Sequence, residues 1–308
     1  MKFTLRQLKV FSSVARWSSF TRAAEELFLS QPAVSIQVKQ LEEHIGLPLF
    51  EQIGKKIHLT QAGKEVQHYS HAAFQQFREM EEVLEAMKGL SGGRLDIAVA
   101  STINYFAPRL LAVFSRRYPD IDLTLEVTNH ETLMQRLEAN EKDIVLMGQP
   151  LQKLDLEVVP FMENPLVVIA PPGHPLAEER RIPLERLAEE TFLMRESGSG
   201  TRLATERFLQ EKNIRLRTGM EISRNAAIKQ AVRDGMGLAI VSVHTIELEM
   251  ETGRLLVLDV EGFPIPRKWF IVHRRGKRLS PAARAFRDFV LDENLPELLG
   301  TGPYSVKA

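Results

Sequence analysis

The chain has 308 residues, 44% hydrophobic and 26% charged, enough to bury the cores of two or three ordinary domains. It has no cysteine, which excludes disulfides, a thiol nucleophile and a zinc–thiolate site. Lys plus Arg number 40 and Asp plus Glu 40, so the overall charge favours no partner, and the distribution has to be read instead. Residues 1–60 carry eight Lys/Arg against five Glu, a mildly basic start to a slightly acidic chain. The longest apolar runs, such as residues 166–172, are only strand-length, and the charged first ten residues lack a signal-peptide core. These features predict a cytoplasmic protein with no membrane partner.

Apolar residues recur at helical spacing in three short runs: Leu5, Leu8, Phe11, Ala15; Phe20, Ala23, Ala24, Leu27; and Val34, Val38, Leu41, Ile45. Ser30 stands where an N-cap belongs, and Pro32 takes an early helical position whose N–H has no helical acceptor. After Gly46 the pattern changes to Leu49-Phe50, a Gly54-Lys55-Lys56 turn and Ile57-His58-Leu59, a two-stranded ribbon. Three helices and a ribbon in residues 1–60 predict a winged helix-turn-helix.

Thr60 caps a long helix in which Val66, Tyr69, Ala73, Phe77, Met80, Leu84 and Met87 recur every three or four residues. From Gln61 to Lys88 it would run ~42 Å. Its stripe has no partner nearby in the sequence, which points to pairing with a second subunit, although packing on a domain of its own chain would satisfy it too. The run Gly89-Leu90-Ser91-Gly92-Gly93 then predicts a flexible joint. Residues 61–91 are therefore expected to form a dimerising linker.

Beyond residue 92 strands and helices alternate. Strands are predicted at 95–99, 123–127, 143–147, 166–170, 191–195, 217–222, 238–241 and 268–273. Helices are predicted at 106–118, 132–140, 201–212, 226–235 and 281–291. This order predicts largely parallel sheets covered by helices, arranged as two Rossmann-like α/β lobes with a cleft between them. Lobe I takes about 92–165 and 268–300, and lobe II about 166–267, within a domain of residues 92–308.

At this point the residues match a family. "LRQLKVFSSVARWSSFTRAAEELFLSQPAVSIQVKQLEEHIGLPLFEQ", "HLTQAG", "VIAPPGHPL" and "RLSPAARAFRDFV" resemble the LysR-type transcriptional regulators along nearly the whole chain, to about residue 295. The resemblance implies a DNA-binding module, a dimerising helix, and an effector domain shaped like the periplasmic solute-binding proteins. It also implies a homotetramer made from two dimers, acting on promoter DNA with RNA polymerase as a further partner. "NHETLMQRLEANEKDIVLMGQP" and "FLMRESGSGTR" resemble the regulators of Calvin-cycle (RuBisCO) operons, which implies an activator of carbon-fixation genes.

In a helix-turn-helix the second helix enters the major groove with its first turns against the base edges. Gln31 is placed to pair with an adenine edge, while Ser35 and Lys39 reach a base and a phosphate. Ser30, Pro32 and Gln37 complete the expected surface. Thr21 and Arg22, with Lys55 and Lys56 in the wing, suit phosphates, which fix register without reading sequence. Any one of these alone is equally a solvated helix face. One departure is Gln52, where family members often carry arginine; the phosphate contact there is in doubt, and Lys55 and Lys56 would have to compensate.

"ESGSGTR", Glu196 to Arg202, is a glycine-punctuated loop opening a helix, a setting that favours an anion through free N–H groups and the helix dipole. Ser197, Ser199, Gly200, Thr201 and Arg202 are expected in an effector site; an ordinary helix cap explains the same residues. Ser101 and Thr102 start another helix, and Asn129, Met147-Gly148 and Asn225 lie at carboxyl ends of strands or beside them, where open α/β sheets bind ligands. The resemblance implies an effector role at Ser101–Thr102 and Ser199–Thr201. With Arg202 as the main expected cation, the cleft suits an anionic small-molecule effector. A phosphorylated or carboxylated metabolite or NADPH would fit, with no other cofactor.

The eight histidines show no metal-ligand spacing. Gly235-Met236-Gly237 lacks the third glycine of a dinucleotide fingerprint, and the glycines beside Ser199 are adjacent to it, unlike a nucleophile elbow. An enzyme is not expected. A solute-binding protein or transporter component would use the same two lobes, but it explains neither the first ninety residues nor the missing signal peptide.

Overall fold

The computed structural model describes residues 3–54, 56–87, 92–150 and 154–291. Lys55 and residues 88–91 and 292–308, on which the wing, joint and C-terminal expectations partly fall, lie outside the described residues. The chain divides into two compact units, one from residues 1–84 with 139–141 and one from 85–138 and 142–308.

The first unit opens with α1 (Leu5–Trp17), α2 (Phe20–Glu26) and α3 (Gln31–Ile45). Each has a capping hydroxyl that meets an otherwise orphaned backbone N–H: Thr4 accepts from Gln7, Ser19 from Arg22 and Ser30 from Ala33. Gly46 ends α3 in the left-handed region at φ 80°, where a side chain would be strained. Val10, Val14, Ala23, Ala24, Val34 and Val38 form one core; Leu8, Phe11, Leu41 and Leu49 form another beneath Ala62, Val66 and Phe74. Each such valine, leucine or phenylalanine contributes roughly 1.5–3 kcal/mol.

The wing pairs β1 (Phe50–Ile53) antiparallel to β2 (Lys56–Leu59). Next comes α4 (Gln61–Met87), of 27 residues. At its start a Cβ on Gly63 would collide with the Leu49 carbonyl, so only glycine lets the helix seat there. Farther along, Tyr69, Phe77, Met80 and Leu84 are 69, 42, 50 and 48% exposed, an apolar stripe left largely open.

The second unit holds two five-stranded sheets. Lobe I comprises β3 (Gly93–Ala100), α5 (Ala107–Arg117), β4 (Ile121–Thr128), α6 (His130–Glu138), β5 (Ile144–Met147) and β6 (Leu156–Glu163). Lobe II comprises β7 (Leu166–Ala170), β8 (Thr191–Arg195), α7 (Gly200–Glu211), β9 (Arg217–Ile222), α8 (Asn225–Arg233), β10 (Leu238–Ser242), α9 (Glu247–Glu251) and β11 (Leu256–Val257). The chain returns to lobe I through β12 (Lys268–Arg274) and α10 (Pro281–Val290). The lobe I sheet runs β4-β3-β5-β12-β6, and the lobe II sheet β11-β7-β10-β8-β9.

The expectation of largely parallel sheets holds with one reversed strand in each. Four of the five strands in each sheet run the same way, and only β12, antiparallel to β5 and β6, and β7, antiparallel to β10 and β11, are reversed. The strands that carry the chain between lobes enter each sheet against its parallel core. The sequence reading also missed β6, because Pro160 interrupts its pattern. Pro160 is tolerated because β6 is the edge strand, where one missing donor breaks no inner ladder.

In lobe I, α5 and α10 cover one face through Leu110, Phe114, Phe286 and Phe289, and Leu133 and Leu137 of α6 cover the other. In lobe II, Ile228 and Val232 of α8 cover one face, while Phe208 packs against the core of the other. Both sheets are thereby fixed with the carboxyl ends of their parallel strands leading directly into α6, α7 and α8.

Candidate functional site

Two places collect the polar residues singled out by sequence, one in each unit. On the first unit Thr21, Arg22, Ser30, Gln31, Pro32, Ser35, Lys39 and Lys56 are all exposed. Gln31, Ser35 and Lys39 follow one another at four-residue steps along α3 and share a face. Arg22 lies over the Trp17 ring, 5.7 Å from its centroid, a contact that steadies its side chain.

Gln37 departs from expectation. Six residues of helix turn it roughly 240° from Gln31, and it is half-buried, 3.4 Å from the Gln40 side chain, which in turn accepts from Gln7 of α1. It belongs to the face that meets α1. Gln52 donates to the Gly54 carbonyl at 3.0 Å, so in place of the family's arginine it closes the wing turn. Phe28, in the turn before α3, was not anticipated; it is 96% exposed at φ 53°.

The second place lies between the lobes. Ser101, Thr102 and Asn129 from lobe I and Ser199, Gly200 and Thr201 from lobe II line a cavity of about 20 Å³ together with His130, Gly148, Arg267 and Trp269. Ser199 occupies the N-cap of α7, yet its hydroxyl caps nothing. Among the described residues the N–H groups of Gly200, Thr201 and Arg202 have no acceptor, and no side-chain bond occupies the buried Thr102, Ser199 or Thr201. A helix start with open donors and idle hydroxyls is arranged to receive an anion.

The cation expected at Arg202 is elsewhere. Arg202 pairs with Glu206, one turn along α7, and with Glu221 of β9, and donates to the Arg195 carbonyl; it does not line the cavity. Its place is taken by Arg267, on the segment leading into β12, whose guanidinium lies so close to Gly148 that a Cβ there would overlap it. Arg267 has no carboxylate within ion-pair distance among the described residues, and burial, then the charge of Arg207, pushes it down to about 10. Beside it His130 is 5% exposed with Nε2 unpartnered. Burial first, then Arg267, hold that imidazole below its usual range and therefore neutral.

Other expected residues do not reach the cavity. Met147 is buried in the lobe I core, Ser197 is exposed outside, and Asn225 accepts from Arg195 at 2.6 Å. Asn129 lines the cavity, but its Oδ1 caps α6 by accepting from Thr132, so only its amide nitrogen remains to meet a ligand. That cap also places the start of α6 two residues before the expected Thr132.

Both units are similar to known proteins. A family model described as "Bacterial regulatory helix-turn-helix protein, lysR family" matches residues 5–64, and "LysR substrate binding domain" matches residues 88–294. A RuBisCO operon transcriptional regulator from Allochromatium vinosum is 64% identical, covering 95% of this chain and 97% of that protein. The regulatory domain of Synechocystis PCC6803 CcmR, solved in complex with 2-PG, is 43% identical at TM-score 0.63, covering 65% of this chain and 96% of that one. Full-length OxyR from Pseudomonas aeruginosa shares the fold at TM-score 0.75 and 24% identity, covering 97% of each chain. With both of its units matched, the chain belongs to the LysR family of transcriptional regulators.

Proposed function

We propose that this regulator controls carbon-fixation genes and that a small anionic metabolite, held between its lobes, sets how it engages promoter DNA. The observation that carries the reading is Arg267. A largely buried guanidinium with no carboxylate partner among the described residues faces idle hydroxyls from both lobes and open N–H groups from lobe II. A phosphorylated or carboxylated metabolite supplies the missing charge, and NADPH offers the same phosphate chemistry. The RuBisCO operon relative supports the choice of target genes, and 2-PG in the CcmR domain supports the ligand class.

The ligand switches transcription only by preferring one arrangement of lobes or subunits, since equal affinity for both shifts nothing. The open stripe Tyr69, Phe77, Met80 and Leu84 supports a dimer through α4, and two such dimers would give the tetramer. The regulator acts as a cytoplasmic activator contacting RNA polymerase. No described helix is long and apolar enough to cross a membrane.

The test is a gel-shift and footprint titration on the region upstream of the RuBisCO operon, with and without 2-PG or NADPH, for wild type and Arg267→Gln. A footprint whose extent or bend changes with ligand in wild type alone supports the reading. Identical footprints throughout refute it.

A further inference from the structure

Beside the small cavity runs a second, about 490 Å³ in volume, which shares His130, Gly200 and Arg267 with it. The first has room for little more than one water-sized group, so most of any metabolite must lie in the second. Its floor is apolar, from Leu203 and Phe208 of α7 and Phe270 of β12, and its rim carries Arg207 and Lys268. Building on the anionic effector proposed above, we infer that Arg207, with Lys268 beside it, forms a second anion subsite, so that the effector is a two-ended anion whose other end Arg267 holds.

Charge accounting supports this. Lys268 is shared with Glu163 at 3.1 Å, but Arg207 has no carboxylate within ion-pair distance among the described residues. Glu211, one turn farther along α7, lines the same cavity without pairing to it. Arg207 shares this cavity with Arg267 and is near enough for its charge to oppose that of the deeper guanidinium. Arg207 is exposed to water and Arg267 lies deeper, so the cavity wall offers an anion two positive heads, one at the rim and one within. A ligand with one anionic group offsets only one of the two. Anions at both ends of a short carbon chain offset both, and the chain itself lies on Leu203, Phe208 and Phe270. His130, whose buried Nε2 has no hydrogen-bond partner among the described residues, lines both cavities and can donate to either end.

The experiment measures calorimetric affinities of the full-length protein for fructose 1,6-bisphosphate and fructose 6-phosphate as probes differing by one anion. In wild type the bisphosphate binds about tenfold or more tightly than the monophosphate, as one extra charge-assisted contact implies. Arg207→Gln, at an exposed position, weakens bisphosphate binding by a much larger factor than monophosphate binding, and Arg267→Gln weakens both. Equal affinities in wild type, or a bisphosphate preference that survives Arg207→Gln, overturn the second subsite and leave the effector reading standing. If neither sugar phosphate nor inorganic phosphate binds wild type, both fall together.

Discussion

Arg195, at the end of β8 in lobe II, donates to the hydroxyl of Ser101 in lobe I at 3.2 Å. The same guanidinium forks onto Glu196 at 2.8 and 3.0 Å and donates to Asn225 at 2.6 Å, so a side chain only 3% exposed is committed on every side. The arginine is thus organised within lobe II and reaches lobe I by one bond. Ser101→Ala removes that bond alone and should lower stability by about 0.5–1.5 kcal/mol. Arg195→Met also strands the Glu196 carboxylate, 18% exposed, and should destabilise by roughly 3 kcal/mol or more. Urea denaturation followed by circular dichroism gives both values. Equal losses would mean that the interlobe bond carries all of Arg195's role.

The difference between Arg202 and Arg267 shows what a sequence conveys. Caps, helical stripes and glycine turns act within a few residues, which is why the three short helices, α4 and the Ser199–Thr201 helix start could be read in order. The same local logic argued against Arg202 from the outset: Glu206 stands four residues on, the spacing of a helical ion pair. Arg267 offered no such signal. It reaches Gly148 only because Phe270 pairs with Met147 across more than a hundred residues of chain, a register that no local pattern encodes. His130 was hidden for a smaller reason: Asn129, three residues before Thr132, is an N-cap signal that the reading did not use.

Gly148 is the simplest handle on the anion site. Its backbone needs no unusual φ, so alanine brings no backbone strain; the added methyl meets only the Arg267 guanidinium at overlapping distance, with Trp269 at the edge of contact. Gly148→Ala therefore moves the cation and leaves the fold. A thermal-shift assay with 2-PG should show the variant melting near wild type without ligand but losing most of the ligand-induced rise, which for wild type at a hundredfold excess over Kd corresponds to ~2.7 kcal/mol. Promoter affinity in the absence of ligand should hold. An undiminished ligand response would remove Arg267 from the site.

On the DNA-facing unit, Gln31 and Arg22 should fail differently. Gln31 is exposed on the first turn of α3, suited to a base edge, and Gln31→Ala should cost about 1–3 kcal/mol on the cognate site while barely changing binding to random duplex. Arg22, resting on Trp17, suits a phosphate. Arg22→Ala should weaken both duplexes alike and reduce the slope of log K against log salt by about one. Anisotropy titrations over a salt series separate the two. A uniform loss for Gln31→Ala would show that it touches only the backbone.

The buried imidazole gives the protein a defined response to acid. His130 lies below its usual 6.5 because burial, then Arg267, oppose its charge; His244 is lowered mainly by burial, against a bond to the Glu163 carbonyl. Both therefore stay neutral in the folded protein at pH values where the unfolded chain takes up a proton. Between their depressed values and 6.5 the unfolded state binds more protons, so stability rises with pH across that window and levels off above it. His130→Gln should flatten part of the rise without altering stability at pH 8 by more than about 1 kcal/mol. An anion on Arg267 changes the sign of the local field, raises His130 and makes ligand binding take up a proton. Affinity for 2-PG should then strengthen as pH falls from 7 toward 6, for wild type more than for His130→Gln. Calorimetry in buffers of different ionisation enthalpy counts the net proton exchange, the phosphate's own proton included, and equal counts for wild type and His130→Gln would place His130 outside the reach of the ligand.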